Sequence, residues 1–167
     1  MKKVYIPILF IIAFVSFGAC EKDDICVDGD TPLLVIRFYD VDNPTVLKKV
    51  TKFRIVGVGQ NTTVTTVSDR TDLDSIAIPL NVTEDITGFY FISNSSEVDA
   101  VEVGDLDTLY FNYTRKDKFV SRACGYIANF ENLSGDLTLE PDNWIKDIEI
   151  VTPLVENSTA AHVKIFH

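Results

Sequence analysis

Alternation of apolar and polar residues at every second position is the feature that most constrains the fold of this chain. Such alternation recurs in six runs: at Leu34, Ile36 and Phe38; at Phe53 and Ile55; at Ile76, Ile78 and Leu80; at Phe89 and Phe91; at Leu109, Phe111 and Tyr113; and at Ala161, Val163 and Ile165. The runs are rich in β-branched and aromatic side chains, which suit a pleated, half-buried surface. They therefore predict strands with one face turned towards a core.

Turn signals separate the runs and set the expected fold. They are Asp42-Asn43-Pro44, Val103-Gly104-Asp105, Arg115-Lys116-Asp117, Ser134-Gly135-Asp136 and Glu140-Pro141-Asp142-Asn143. About seven to nine strands at regular spacing, with no amphipathic helix between them, predict an all-β, immunoglobulin-like β-sandwich. A closed barrel is the alternative. Pro79 interrupts one run, which predicts an edge strand or a bulge there.

The N-terminus has the organisation of a secretory signal: Lys2-Lys3, an apolar run over residues 4–17, and small residues before Cys20. The run is shorter than the roughly 20 residues of a spanning helix. Phe17-Gly18-Ala19-Cys20 resembles the lipobox of bacterial lipoproteins, with Phe17 where an aliphatic residue is usual. This predicts a cleaved lipoprotein signal peptide over 1–19, a lipidated flexible tether over 20–30 and one β-sandwich domain over 31–167. An ordinary cleaved signal and an uncleaved anchor are the alternatives.

Lipidation of Cys20 would determine where the protein acts. The two or three acyl chains of a lipoprotein hold it at a bilayer far more firmly than one chain does. Glu21-Lys22-Asp23-Asp24 resembles the export signal that sends Bacteroidota lipoproteins to the outer face of the cell. We therefore expect a lipid-anchored outer-membrane protein that is exposed at the cell surface. A solvated acidic tether on the periplasmic side is the alternative.

The negative charge of the chain argues against nucleic acid as a partner. The net charge is −10, and it becomes −12 once Lys2 and Lys3 leave with the signal peptide. Nucleic-acid binding depends on lysine and arginine to neutralise phosphates, so this balance argues against it. It argues equally against docking onto anionic headgroups, although acidity also serves solubility alone. The sequence indicates no oligomeric state.

If Cys20 carries lipid, Cys26 and Cys124 remain as a pair. In an envelope compartment disulfides form, so these two cysteines are the candidates for one. Two free, buried thiols are the alternative, because sequence does not show that the two side chains approach each other.

No residue pattern indicates catalysis, a metal or a cofactor. The two histidines are His162, which alternation places towards solvent, and the C-terminal His167. Neither belongs to a recognisable nucleophile motif. Acidic clusters such as Asp40, Asp42 and Asn43 lack the ligand spacing of a calcium loop and are interpreted as solvated turns. We therefore expect a non-enzymatic protein without a cofactor.

Aromatic residues are the weak candidates for ligand contact. Trp144, the only tryptophan, and Tyr126 are the first choices, followed by Tyr110 and Tyr113. The alternative is a place in the core, where large aromatic side chains bury most area.

Two tripeptides resemble the O-glycosylation acceptor of Bacteroidota envelope proteins. They are Asp74-Ser75-Ile76 and Asp107-Thr108-Leu109, which make Ser75 and Thr108 the candidate sites. Alternation turns both hydroxyls outwards if Ile76 and Leu109 face inwards. A chain of this composition in random order already contains about one such tripeptide.

Several segments together resemble an uncharacterised family of small Bacteroidota lipoproteins. The segments are Thr31-Pro32-Leu33, Ile36-Arg37-Phe38-Tyr39-Asp40, Asp74-Ser75-Ile76, residues 106–113, and Phe119-Val120-Ser121-Arg122-Ala123-Cys124-Gly125-Tyr126. The resemblance covers nearly all of the chain after the signal and implies surface localisation and this architecture, but no activity. If Arg122, Cys124 and Tyr126 lie on one strand, they share a face and form a structural corner or a partner contact.

These observations favour a non-enzymatic envelope lipoprotein with a structural or protein-binding role. The expected partners are the membrane, through the lipid, and an outer-membrane barrel or another envelope protein. A carbohydrate- or host-ligand-binding module is the alternative, by analogy with other β-sandwiches.

Overall fold

The structure is a computed structural model that describes Cys26 and residues 29–167. The predicted signal peptide, Cys20 and the acidic motif at residues 21–24 lie outside these described residues. Within the described part there is no helix that would bridge the apolar layer of a bilayer.

The described chain is all-β, as the alternation predicts, and has eleven strands. They are β1 (Leu34–Tyr39), β2 (Val50–Gly57), β3 (Thr71–Leu73), β4 (Ser75–Ile78), β5 (Ile86–Ser93), β6 (Glu97–Val98), β7 (Val101–Glu102), β8 (Asp105–Ser121), β9 (Gly125–Leu137), β10 (Asp147–Ile150) and β11 (Val163–Phe166). The number exceeds the predicted seven to nine because β3, β6 and β7 are too short to show an alternating pattern.

Two main sheets share one core. The four-stranded sheet has the order β10-β11-β1-β4 and the five-stranded sheet the order β3-β2-β5-β8-β9, while β6 and β7 form a separate hairpin. Phe38 of β1 meets Phe53 of β2 across the core, with ring centroids 5.3 Å apart. The inward-facing residues of both sheets belong to one hydrophobic cluster. The architecture is therefore sandwich-like, with edge strands where a closed barrel would have none.

The first and last strands are neighbours. β1 pairs with β11 in parallel and with β4 antiparallel, so it occupies the middle of the four-stranded sheet. β4 ends at Ile78, directly before Pro79, and forms an edge of this sheet, as the proline predicts.

Two predicted turns are wrong. Arg115-Lys116-Asp117 lies within β8, and Ser134-Gly135-Asp136 lies within β9. The two strands pair from Leu109 and Leu137 to the turn at residues 122–124, well beyond the last residue of β8 that pairs with β5. Beyond that point β8 has only β9 as a partner, so charged side chains there face solvent without interrupting the strand. We call this extension, residues 114–121 with 125–131, the ribbon.

The ribbon turn also corrects the expectation for the distinctive Ser-Arg-Ala-Cys-Gly-Tyr segment. Arg122 and Cys124 lie in the turn, whereas Tyr126 lies on β9, so the three residues do not share one strand. Gly125, which opens β9, has a φ of 72°, a left-handed value that favours glycine.

Candidate functional site

A groove of about 670 Å³ lies beside β5, and its lining combines residues of the five-stranded sheet with Pro79, Leu80 and Asn81, which follow β4 of the other sheet. Phe89 and Leu109 point into the core, so the residues next to them, Gly88 on β5 and Tyr110 on β8, face outwards. Gly88 and Tyr110 are directly opposite each other in the ladder. A Cβ atom on Gly88 would lie 2.7 Å from Cδ1 of Tyr110 and 2.9 Å from Cγ2 of Val58. Glycine is therefore needed here for the tyrosine ring to cover β5.

The lining of the groove is mostly uncharged. Hydroxyl and amide groups come from Gln60, Thr62, Thr63, Thr65, Asn81 and Thr87, and exposed apolar side chains come from Val58, Val82 and Ile86. Among the residues that the structure describes, Glu84 supplies the one carboxyl group of the lining, which includes no histidine or cysteine. Such a lining offers hydrogen bonds and apolar contact to a neutral polar ligand.

A second polar cluster surrounds Glu102 on β7. Its carboxylate accepts hydrogen bonds from Ser95 Oγ at 3.0 Å and from the backbone N–H groups of Ser96 and Gly104 at 3.1 Å. Arg54 and Arg70 pair with it at 3.5 and 3.4 Å. Burial by itself would raise the pKa of Glu102, but the hydrogen bonds and Arg54 together lower that pKa below its usual value. These partners of Glu102 all belong to the domain itself, and Arg54 lies on β2, so the cluster fastens the β6–β7 hairpin to the five-stranded sheet.

The end of the ribbon carries two exposed aromatic residues beside a disulfide. Phe119 and Tyr126 pair across the ladder, are 55% and 70% exposed, and have ring centroids 5.3 Å apart. Cys124 in the adjoining turn is bonded to Cys26, with the two Cα atoms 4.9 Å apart. The structure therefore contains the predicted Cys26–Cys124 disulfide, in place of two free thiols.

Trp144 and Tyr126, the two first choices for ligand contact, are not brought together. Trp144 is half-buried, its Nε1 donates a hydrogen bond to the carbonyl of Phe91 at 3.2 Å, and its ring packs against Phe38 and His167. Tyr126 instead stands at the end of the ribbon. Of the other candidates, Tyr113 is buried in the core, and Tyr110 lines the groove.

Ser75 and Thr108 lie on different sheets. Ser75 is exposed on edge strand β4, and Thr108 is half-buried on β8 opposite Tyr90. Neither position tests whether the hydroxyl is glycosylated, so modification stays a prediction.

Asp107 has a structural role that the sequence did not reveal. It is 3% exposed, and its carboxylate accepts hydrogen bonds from Asn143 Nδ2 at 2.9 Å and from the backbone N–H of Ile145 at 2.7 Å. These bonds hold the segment between β9 and β10 against the core, where Ile145 is buried. The fold alone therefore accounts for an aspartate before Thr108, whether or not that threonine is modified.

The prediction that His162 faces solvent is wrong. His162 is 3% exposed, and its Nδ1 accepts a hydrogen bond from the backbone N–H of Val35 at 3.0 Å. Burial lowers its pKa, and a backbone hydrogen bond with Asn157 opposes that shift only in part. β11 begins one residue later, at Val163, so the alternation of that strand does not extend to His162. Its neutral ring therefore helps to join the first and last strands.

Within the described residues, no three histidine, cysteine, aspartate or glutamate side chains are grouped so as to share a metal ion. The acids near Asp40 instead form a local turn, in which the carboxylate of Asp40 accepts a hydrogen bond from the backbone N–H of Asp42 at 3.2 Å.

Comparison with known proteins assigns the chain to a family without assigning an activity. No curated protein and no solved structure matches it. A family model described as a family of unknown function, DUF6452, matches residues 52–167, from within β2 to the last residue of the chain. The match leaves out the N-terminal 51 residues, including Cys20 and Cys26. It covers more than half of the chain, which therefore belongs to this family of unknown function.

Proposed function

We propose that the chain is a non-enzymatic lipoprotein of the outer membrane, displayed at the cell surface, whose β-domain binds another envelope protein through the groove. The lipobox-like segment that ends at Cys20 supports the anchor, and Glu21-Lys22-Asp23-Asp24 supports surface display. The wider resemblance to small Bacteroidota lipoproteins supports both. The acidic domain, with its net charge of −12 after signal removal, fits a protein that stays soluble beside the bilayer.

The groove is the single observation that carries the binding role. Its threonine hydroxyls and side-chain amides can bond the backbone of an extended protein segment, while Val82 and Ile86 provide apolar contact at its rim. An exposed concave surface of this chemistry suits recognition of a polypeptide, such as a loop of an outer-membrane barrel.

We also propose that the domain is an immunoglobulin-like sandwich. In support, its two main sheets share a core, all strand pairs except β1–β11 are antiparallel, and the first strand lies beside the last. An experimental structure in which the two sheets cross at a near-right angle, instead of the roughly 30° of aligned sandwiches, would refute this assignment.

Site-specific crosslinking in the native envelope tests the binding role. A photo-crosslinking residue replaces Val82 at the rim of the groove, and a matched one replaces Val46, which is also exposed but lies outside the groove. We expect one discrete crosslinked protein from position 82 and none from position 46. The crosslink should disappear in Cys20→Ser, which leaves the domain untethered, and in Ile86→Glu. Equal products from both positions, or none from position 82 in cells that display the lipidated protein, would contradict the proposal.

A carbohydrate or host ligand is the second candidate, and Tyr110 favours it. The tyrosine ring lies over Gly88 beside several hydroxyl groups, an arrangement that sugars stack against. Trp144 is a poorer candidate than its residue type suggests, because its indole N–H already has a partner. A glycan-array signal that Tyr110→Ala abolishes and Trp144→Phe leaves unchanged would establish this role.

A further inference from the structure

Phe119 and Tyr126, at the far end of the ribbon (its tip), are exposed and do not belong to the hydrophobic core of the domain. Beyond the β5 partner the ribbon has only two strands, and residues 114–119 of β8 are all exposed. There, Phe119 and Tyr126 contact each other and remain mostly exposed. Aromatic rings with this exposure are characteristic of surfaces that meet a partner or a membrane interface.

The disulfide ties the start of the described chain to this same tip. Cys26 is bonded to Cys124 in the ribbon turn, and Thr31 Oγ1 accepts a hydrogen bond from the backbone N–H of Ala128 on β9 at 3.5 Å. The chain therefore enters the domain along the ribbon. Whatever anchors the segment before Cys26 is held close to Phe119 and Tyr126.

The length of the chain before Cys26 limits the distance to the anchor. Cys20 lies six residues before Cys26, and six residues span at most about 20–22 Å when fully extended. A lipid on Cys20 consequently keeps the disulfide within that distance of the bilayer surface, and Tyr126 follows the bonded Cys124 by two residues. Without the bond, the first contact of the chain with the ribbon would be the hydrogen bond of Thr31, eleven residues after Cys20.

We propose that the end of the ribbon, Phe119 and Tyr126 with Lys118 and Arg122, docks into the headgroup region of the membrane that holds the lipid. The inference rests on the lipidation of Cys20 put forward under Proposed function. Lys118 and Arg122, which are close in sequence to Phe119, are exposed as well, and basic and aromatic side chains together anchor proteins at a bilayer interface. Because the domain as a whole is acidic, the aromatic contact supplies the attraction, and a zwitterionic surface suffices.

Depth-dependent quenching by brominated lipids tests the docking. The lipidated full-length protein is reconstituted on phosphatidylcholine vesicles whose acyl chains are brominated near the headgroup. Tyr126→Trp and Phe119→Trp place the reporter at the tip. The control, Leu139→Trp, is also exposed (86%) but follows the opposite end of β9, about 36 Å of strand from Tyr126. The signal of Trp144, measured in the unsubstituted protein, is subtracted from each variant.

We expect the tip reporters to be quenched severalfold more strongly than the reporter at position 139. Equal quenching at all three positions, or no quenching at positions 119 and 126, would refute the docking. A co-purified protein that covers these two positions and prevents their quenching would refute it as well. Mass analysis of the same sample separates the two proposals. An acylated protein with an unquenched tip refutes the docking alone, whereas an unacylated Cys20 refutes the anchor and the docking with it.

Discussion

Removal of the Cys26–Cys124 disulfide should lower the stability of the domain mainly through its unfolded state. The bond joins residues 98 positions apart, and the chain-entropy estimate for a loop of that length is about 4.7 kcal/mol. Few native contacts depend on the bond, because Cys26 precedes β1 and Cys124 lies in the ribbon turn, outside the core. The folded protein gains some local freedom around Cys26 when the bond is absent. We therefore expect a loss of about 3–4.5 kcal/mol for Cys26→Ser with Cys124→Ser.

Urea unfolding followed by tryptophan fluorescence measures this loss. Trp144 is the only tryptophan and packs beside Phe38 in the core, so its emission reports the global transition. With a denaturant slope of about 2 kcal/mol/M, the midpoint should fall by about 1.5–2.2 M. The unsubstituted protein in excess dithiothreitol is the matched control, and its midpoint should agree with that of the double variant.

A midpoint shift below about 0.5 M would refute the loop-entropy reasoning, since it would leave less than about a quarter of the expected free energy. If the double variant did not fold and showed no unfolding transition, the loop-entropy reasoning would be refuted by an effect that is too large. It would mean that the bond holds native structure together instead of restricting the unfolded chain.

Three further perturbations act on the contacts described above. Asp107→Ala removes the acceptor of two buried hydrogen bonds, including the one from the N–H of Ile145, and should cost about 2–4 kcal/mol in urea unfolding. Gly104→Ala places a Cβ 2.7 Å from the backbone oxygen of Ser93, which cannot rotate away, and should lower the unfolding free energy by about 1–3 kcal/mol in calorimetry. Burial lowers the pKa of His162 in the folded state, so below pH ~6.5 the unfolded chain binds more protons. The contribution of neutral His162 to stability is therefore complete above pH ~6.5, and it is lost as the pH falls towards the lower pKa of the folded state.

Each of these three expectations has its own contrary result. A cost below about 1 kcal/mol for Asp107→Ala would mean that water replaces the carboxylate. Unchanged calorimetry for Gly104→Ala would mean that the backbone near Ser93 relaxes freely. For the histidine, the slope of stability against pH between 5 and 6.5 should decrease in His162→Gln but persist in part, because burial also lowers the pKa of His167. An identical slope in that variant would contradict the assignment.

Alternation predicted the strands that face the shared core and missed structure that lies away from it. In β8, Leu109, Phe111 and Tyr113 are buried at every second position, so this part of the strand was visible in the sequence. Residues 114–119 of the same strand are all exposed, so burial selects no alternating pattern there. Arg115 and Lys116 consequently resembled a turn, although Arg115 pairs with Asp85 and Lys116 with Glu131.

The candidate site was less accessible to sequence reasoning because its parts come together only in the fold. Gly88 and Tyr110 lie 22 positions apart in the sequence but opposite each other in the sheet. Tyr110 was among the aromatic candidates, but the glycine beneath it has no signal of its own. The disulfide was predicted by elimination, since only Cys26 and Cys124 remain when Cys20 is assigned to lipid. The aspartate that bonds Ile145 was hidden within a tripeptide interpreted as a modification acceptor.

The parallel pairing of β1 with β11 has a kinetic consequence. The first strand to be synthesised needs the last one to fill its neighbouring position, and Ile36 stands opposite Val163 across 127 residues of chain. Contacts this far apart slow the search for the native state, so we expect the domain to fold only after its whole length is available, in milliseconds to seconds. Until then, the open side of β1 presents unpaired backbone groups that offer a pairing edge to other chains.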